Sequence, residues 1–289
     1  MFFLVIFSTT LSCQVNDGYE ITVKVNGLAD SIVYFAYHFG DKQYIKDSIR
    51  LDKSATAVIK GNEPLPQGIY MIVLPGKKYF EMLVSDVQNF EVTCSYPDYF
   101  NSLKFKGSDE NSAFLDYQKN WINMQAKAAE LSERYKKNKN NPDSLKILSE
   151  ARMTQETQMK NYLHEVAERY KGSLLSMLVK AIIPVEIPSF DIPEGTRNPD
   201  SVRYFLTYIY NKDHYFDNID FNDERILRTP IFHSKLDDFF SNVVIQLADS
   251  INKEIDRVIA LSSNNYKIFQ YVSVYLFNHF RESEIMGHD

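Results

Sequence analysis

The sequence predicts an α+β protein, with an N-terminal antiparallel β-sandwich or open barrel over residues 14–107 and an all-α helical domain over 108–289. Two observations predict it. From Tyr19 to Gly107 apolar and polar residues alternate with period two, whereas after Ser108 apolar residues recur three or four apart. A strand sends successive side chains to opposite faces and a helix gathers every third or fourth on one face, so the change of period marks a change of element.

Ile21, Val23 and Val25 share one parity against Glu20, Thr22 and Lys24, and Val33, Phe35, Tyr37 and Phe39 continue the pattern. Further runs at 68–74, 79–85, 89–95 and 103–105 are punctuated by Gly27, Gly40, Gly61-Asn62, Pro64, Pro66, Pro75-Gly76 and Pro97. Roughly seven short strands at this spacing suit a sandwich or open barrel. Beyond Gly107, Ser108-Asp109-Glu110-Asn111 offers acceptors for the orphan N–H groups of a first helical turn. Phe114, Tyr117, Trp121, Met124 and Ala128 then form one stripe of a helix running to Lys137. Asn138–Asn141 and Pro142 break it, and a second helix over 143–172 supplies Leu145, Leu148, Met159, Tyr162, Leu163, Val166 and Tyr170 for the facing side of an antiparallel hairpin. Four prolines in residues 184–199 interrupt helical structure, and a last cluster of helices occupies 199–213, 230–242, 250–261 and 266–282.

A chain of 289 residues with 44% hydrophobic and 14% aromatic residues can fill two cores. Its 32 basic and 38 acidic residues give a net charge of −6, and the one basic run is Lys136-Lys137-Asn138-Lys139. That pattern lacks the phosphate-neutralising stripe of a nucleic-acid binder, so no nucleic-acid partner is expected. The two cysteines, Cys13 and Cys94, are too far apart in sequence for a Cys-x-x-Cys pair and too few for a disulfide framework or a thiolate zinc site. Cys94 shares its parity with Phe90 and Val92 and reads as a core thiol. Residues 1–13 read as the remnant of an export signal, an apolar run ending in small residues and too short to span a bilayer. A positively charged start is missing, so either the true beginning is upstream, which is the expectation, or the segment is not a signal. Leu11-Ser12-Cys13 is close to a lipoprotein cleavage box, which makes Cys13 a candidate for lipidation, while ordinary cleavage before Gln14 stays open.

Each chemical motif meets a plainer structural reading. His164-Glu165-Val166-Ala167-Glu168 approaches the zinc-protease helix, but its second histidine is a glutamate, and the apolar residues around it put His164 and Glu168 toward solvent. Asp220-Phe221-Asn222-Asp223-Glu224 starts like a calcium loop, yet Arg225 stands at its glycine position and Ile231 at its bidentate position. Capping of a short helix by Asn222 or Asp220 explains it better. Ser250-Ile251-Asn252-Lys253 matches a serine acyl-transferase tetrapeptide without its partner motifs, and reads as an N-cap and first turn. No catalytic set, cofactor or metal site is therefore expected. An aromatic binding patch of Tyr34, Tyr37, Phe39 and Tyr44 is the one candidate binding site; the same residues would also fit a sandwich core and its rim.

The run His214–Phe232, with segments 40–47, 61–70 and 285–287, resembles the non-catalytic N-terminal region of thioredoxin-like (TlpA/ResA-type) thiol:disulfide oxidoreductases of the Gram-negative envelope. The resemblance implies a small β domain and a helical domain, both of unassigned function, in a protein exported to the periplasm or lipid-anchored to the outer membrane through Cys13. In that family a thioredoxin module follows the position of Ile285-Met286-Gly287, whereas this sequence ends at Asp289. The expected function is a non-catalytic binding or interaction module that works with an envelope protein or thioredoxin-like partner. The alternative is a remnant whose activity lies in sequence absent here. The segment Phe216–Pro230 itself is expected to be a structural clasp, its aromatics anchoring a loop and its acids capping a short helix.

Overall fold

A computed structural model describes residues 18–281. Eight strands, β1 (Tyr19–Asn26), β2 (Ile32–Phe39), β3 (Lys42–Arg50), β4 (Thr56–Gly61), β5 (Gly68–Leu74), β6 (Lys78–Val84), β7 (Asn89–Ser95) and β8 (Lys104–Lys106), form two four-stranded sheets. The first sheet has the order β4-β1-β7-β8 and the second β3-β2-β5-β6. Their inner faces meet in one core, in which Ile21, Val23, Val25, Phe35, Tyr70 and Ile72 are fully buried. The alternation along β1 thus becomes a buried face and a wet face, and burial of the apolar face is what holds the sandwich together.

One strand pair departs from the antiparallel expectation. β1 and β7 run parallel, with Ile21 opposite Phe90, Val23 opposite Val92 and Val25 opposite Cys94. After β6 the chain crosses from the second sheet back to the first, so β7 arrives beside β1 in the same direction rather than by a hairpin reversal. Same-parity side chains still face one core, which is why period two foretells the strands but not their direction.

The helical part begins with a short α1 (Tyr99–Ser102) and then α2 (Asp109–Lys137) and α3 (Pro142–Arg169). Ser108 caps α2 by accepting from the Asn111 N–H, and Asn141 caps α3 by accepting from the Ser144 N–H. Asn120 reaches Tyr162, and Gln155 donates to the Met124 carbonyl, a register that makes the pair an antiparallel hairpin. The second predicted helix stops three residues early, and a separate α4 (Leu174–Ile182) follows, capped by Ser173. Then come α5 (Pro199–Asp213), α6 (Ile231–Asp238) with a π-turn at Phe239–Val243, α7 (Ala248–Ser262) and α8 (Tyr266–Arg281). Ser250 lies inside the first turn of α7, whose N-cap position is Leu247, so Ser250 is not the cap that the sequence suggests.

α2, α3 and α4 cover part of the outer face of the second sheet, where Ile69 and Leu83 pack with Phe114, Leu163, Leu174 and Leu178. A second helical core gathers Phe216, Phe221, Phe232, Phe239 and Phe240 with Val272 of α8. Met177 and Ile231 pack against both clusters and join them. At the β6 edge the Asn111 side chain takes the place of a neighbouring strand: Leu83 N–H donates to Oδ1 at 2.7 Å and Nδ2 donates to the Leu83 carbonyl at 2.8 Å. Among the described residues no helix is long and apolar enough to cross a membrane.

Candidate functional site at the junction of sandwich and helices

Residues 216–230 form a clasp. Phe216, Ile219, Phe221, Ile226 and Leu227 are buried, which fixes the loop to the helical core. A 3₁₀ turn, Glu224–Arg228, then reaches the sandwich. Its N-cap is Asp223, which accepts from the Arg225 N–H, rather than Asn222 or Asp220; Asp220 instead accepts from the Asn222 N–H two residues on. Asp223 also holds the Arg225 guanidinium in a two-oxygen fork, Nε donating to Oδ1 and Nη2 to Oδ2, and Arg225 donates to the Gln67 side chain across the junction. Arg228 lies over the Tyr37 ring at 4.3 Å and donates to the Tyr70 hydroxyl at 3.1 Å. Gly68 permits this approach, because a Cβ there would come within 2.4 Å of the Arg228 Cβ. Burial raises the Tyr70 phenol, and the Arg228 charge opposes that rise.

Beside the clasp a cleft of about 930 Å³ opens between the β2–β3 hairpin and helices α6 and α8. Phe39, Lys42 and Tyr44 form one wall, and His233, Tyr271 and Tyr275 belong to the other. The hairpin turns tightly at Gly40, whose φ of +60° suits glycine. Its N–H donates to the Leu227 carbonyl of the clasp at 2.8 Å. A Cβ at Gly40 would stand 2.2 Å from the Tyr271 hydroxyl, so the turn is pressed directly onto α8.

Burial dominates the electrostatics of the far wall. It pushes the Tyr271 and Tyr275 phenols up, reinforced by the carboxylates of Asp41 and Asp237 respectively, so both rings stay neutral at physiological pH. Burial also lowers His279, with Asp237 pulling it back up and His233 lowering it further. The Tyr271 hydroxyl accepts from the Asp41 backbone N–H and sits 2.9 Å from His233 Nδ1. The Tyr275 hydroxyl lies 3.3 Å from His279 Nδ1. Phenols and imidazoles in an aromatic cleft can hydrogen-bond and stack with a ligand. Among the described residues no group of three His, Cys, Asp or Glu is placed to hold a metal ion.

The candidate aromatics are divided between two faces. Tyr37, Phe39 and Tyr44 gather at the junction: Tyr44 stacks on Tyr37 at 5.7 Å, and Phe39 meets Tyr271 edge-on at 6.0 Å. Tyr34 is on the opposite face of β2, in a row with Val73 and Tyr79 across the second sheet. Cys94 is 1% exposed, and burial pushes its thiol up to about 12. His164 is exposed and stands 3.8 Å from Glu186 on the neighbouring loop. Glu224 pairs with Lys267 of α8. Cys13 and segment 285–287 lie outside the described residues. His233, Tyr271, Tyr275 and His279 were not read from the sequence; the spacing of four along α8 carries the signal, but it is also the spacing of a core stripe.

Fold and junction thus define a β-sandwich clasped to a helical bundle, with a ligand-sized cleft where the two meet. Residues 19–114 match a family model, DUF4369, described as a domain of unknown function. The match covers the sandwich and the first turns of α2. Neither a comparison with curated proteins nor one with solved structures gives a match.

Proposed function

We propose that the protein is a non-catalytic binding module of the bacterial envelope, the accessory part of a thiol:disulfide oxidoreductase system. The observation that supports this most is the junction cleft of about 930 Å³, lined by aromatic rings and imidazoles and located where two folding units meet, a common place for ligand sites. Its walls bring together hydrogen-bonding and stacking groups without a nucleophile, base and orienting partner in line. The DUF4369 match and the hallmark run His214–Phe232 agree with the accessory region of envelope thioredoxin-like proteins. On this reading the chain is exported, and Cys13 carries the lipid where an anchor is present.

Photo-crosslinking from position 44 in the native host tests it. A benzophenone amino acid there should capture an envelope protein bearing a Cys-x-x-Cys motif, identified by mass spectrometry. A probe at Asn101, exposed on the short α1, serves as the control. No adduct beyond that of the control, or one with cytoplasmic proteins alone, would refute the reading. Fractionation checks the location, since a soluble cytoplasmic pool retaining Met1 is incompatible with export.

A further inference from the structure

The second sheet treats its two edges differently. The β6 edge is blocked by the Asn111 side chain, whereas among the described residues β3 pairs only with β2 and is exposed at eight of its nine positions, Ile49 being half-buried. The hairpin closes at Phe39–Lys42, and the alternation from that pair turns the backbone groups of Gln43 and Ile45 away from β2. An unpaired strand edge is complementary in hydrogen bonding to one kind of occupant, another extended chain.

Charge narrows the occupant. β3 carries Lys42, Lys46 and Arg50 against Asp47, three positive charges and one negative, for +2 in a chain of −6. A second copy fits poorly. Antiparallel self-pairing centred on Lys46 would set that residue opposite itself and Lys42 opposite Arg50, and like charges directly across a strand pair repel. Geometry supplies a further restriction: Tyr44 projects from β3 over Tyr37 and lines the cleft, so alternate side chains of an added strand would fall on the cleft side. Ile45, 65% exposed on the other face, offers contact to the intervening ones.

We infer that β3 accepts an extended acidic segment of a partner protein as a fifth strand of the second sheet, with one apolar side chain of that segment entering the junction cleft. The inference rests on the binding-module reading and names the chemistry of what is bound. Main-chain hydrogen bonds along β3 hold the segment, the basic residues select its charge, and the cleft selects one bulky side chain.

The test titrates the isotope-labelled full chain with a blocked heptapeptide that alternates glutamate with valine around a central phenylalanine, and with its lysine counterpart. The glutamate peptide should bind at least about ten-fold more tightly at low salt, an advantage that shrinks as salt rises. The amides of Gln43 and Ile45 should become protected from exchange. Reversing the charges of Lys42, Lys46 and Arg50 to Glu, all exposed positions, should invert the preference. Tyr44→Ala should weaken binding of the phenylalanine peptide more than that of a version with central alanine. Resonance shifts confined to α6 and α8 with unprotected β3 amides would overturn strand addition while leaving the cleft as a binding site. Equal affinity for both peptides, or binding of neither, would also overturn it, and position-44 crosslinking then decides separately whether the module reading stands.

Discussion

Replacing Phe216 with Ala probes whether the clasp holds the helical core together. Phe216 is 4% exposed, and its ring lies 4.8 Å from Phe239, 5.0 Å from Tyr215 and 5.6 Å from Phe221. These neighbours are rigid rings held by their own contacts, so they cannot collapse into the vacated space, and the loss belongs near about 3–5 kcal/mol. For a chain of this size that corresponds to a fall in melting temperature of about 10 °C. Urea unfolding followed by far-UV circular dichroism measures it. Fluorescence of Trp121, the lone tryptophan, reports separately on the α2–α4 cluster. Because Met177 and Ile231 touch both clusters, the two signals should shift together. A loss below about 1 kcal/mol would refute the clasp, since a buried phenylalanine with three ring neighbours cannot be removed so cheaply. Asp223→Ala, which removes the cap of the 3₁₀ turn, should cost about 1 kcal/mol. Stability unchanged in that variant together with loss of ligand binding would make the segment a site instead.

Cys94 should resist a thiol reagent in the native Cys13→Ser protein at pH 8 and react promptly in urea, because its thiol is buried and pushed up to about 12. Native reactivity, or insulin reduction that depends on Cys94, would contradict this. Gly40→Ala should destabilise by roughly 2 kcal/mol, since the residue combines a positive φ with a clash against the Tyr271 hydroxyl; an unaltered melting curve would count against the tight seat of the hairpin on α8. Glu254 is 2% exposed, and although burial raises its carboxyl, hydrogen bonds from Lys212 and Arg257 outweigh that and hold it below its ordinary value of 4.5. Its stabilisation is therefore present at neutral pH and is lost as pH falls below 4.5 and through the lower folded value. Glu254→Gln should cost about 3 kcal/mol at pH 7 and flatten the acid limb of the stability curve, and an unchanged limb would refute the assignment.

Local chemistry was legible in the sequence where it acts through a few adjacent residues. Ser108 caps α2, Pro199 opens α5, and the parity of Ile21, Val23 and Val25 places them in the core. Features decided by distant partners were not. β3 has no buried face, so its alternation leaves no hydrophobic imprint. α4 is buried on most sides, and Leu-Leu-Ser-Met-Leu-Val has no polar stripe from which a helical period could be read. The parallel β1–β7 pair depends on a crossing between sheets. The cleft escaped notice for a related reason: Tyr271 and Tyr275 are both members of the core cluster and wall of the cleft, and no local pattern separates those roles.

The amide of Asn111 that closes the β6 edge belongs to the first turn of a helix, five residues beyond Lys106, the last strand residue of the sandwich. A fragment cut at Gly107, where the alternating pattern stops, would leave Leu83 with bare backbone groups along a largely apolar strand. Such a fragment should precipitate or assemble through that edge when expressed alone, whereas one carried to residue 114 brings its own plug. The first turns of α2 are in this sense the sandwich's last structural component, and a purified β unit would be soluble or not according to whether those few helical residues travel with it.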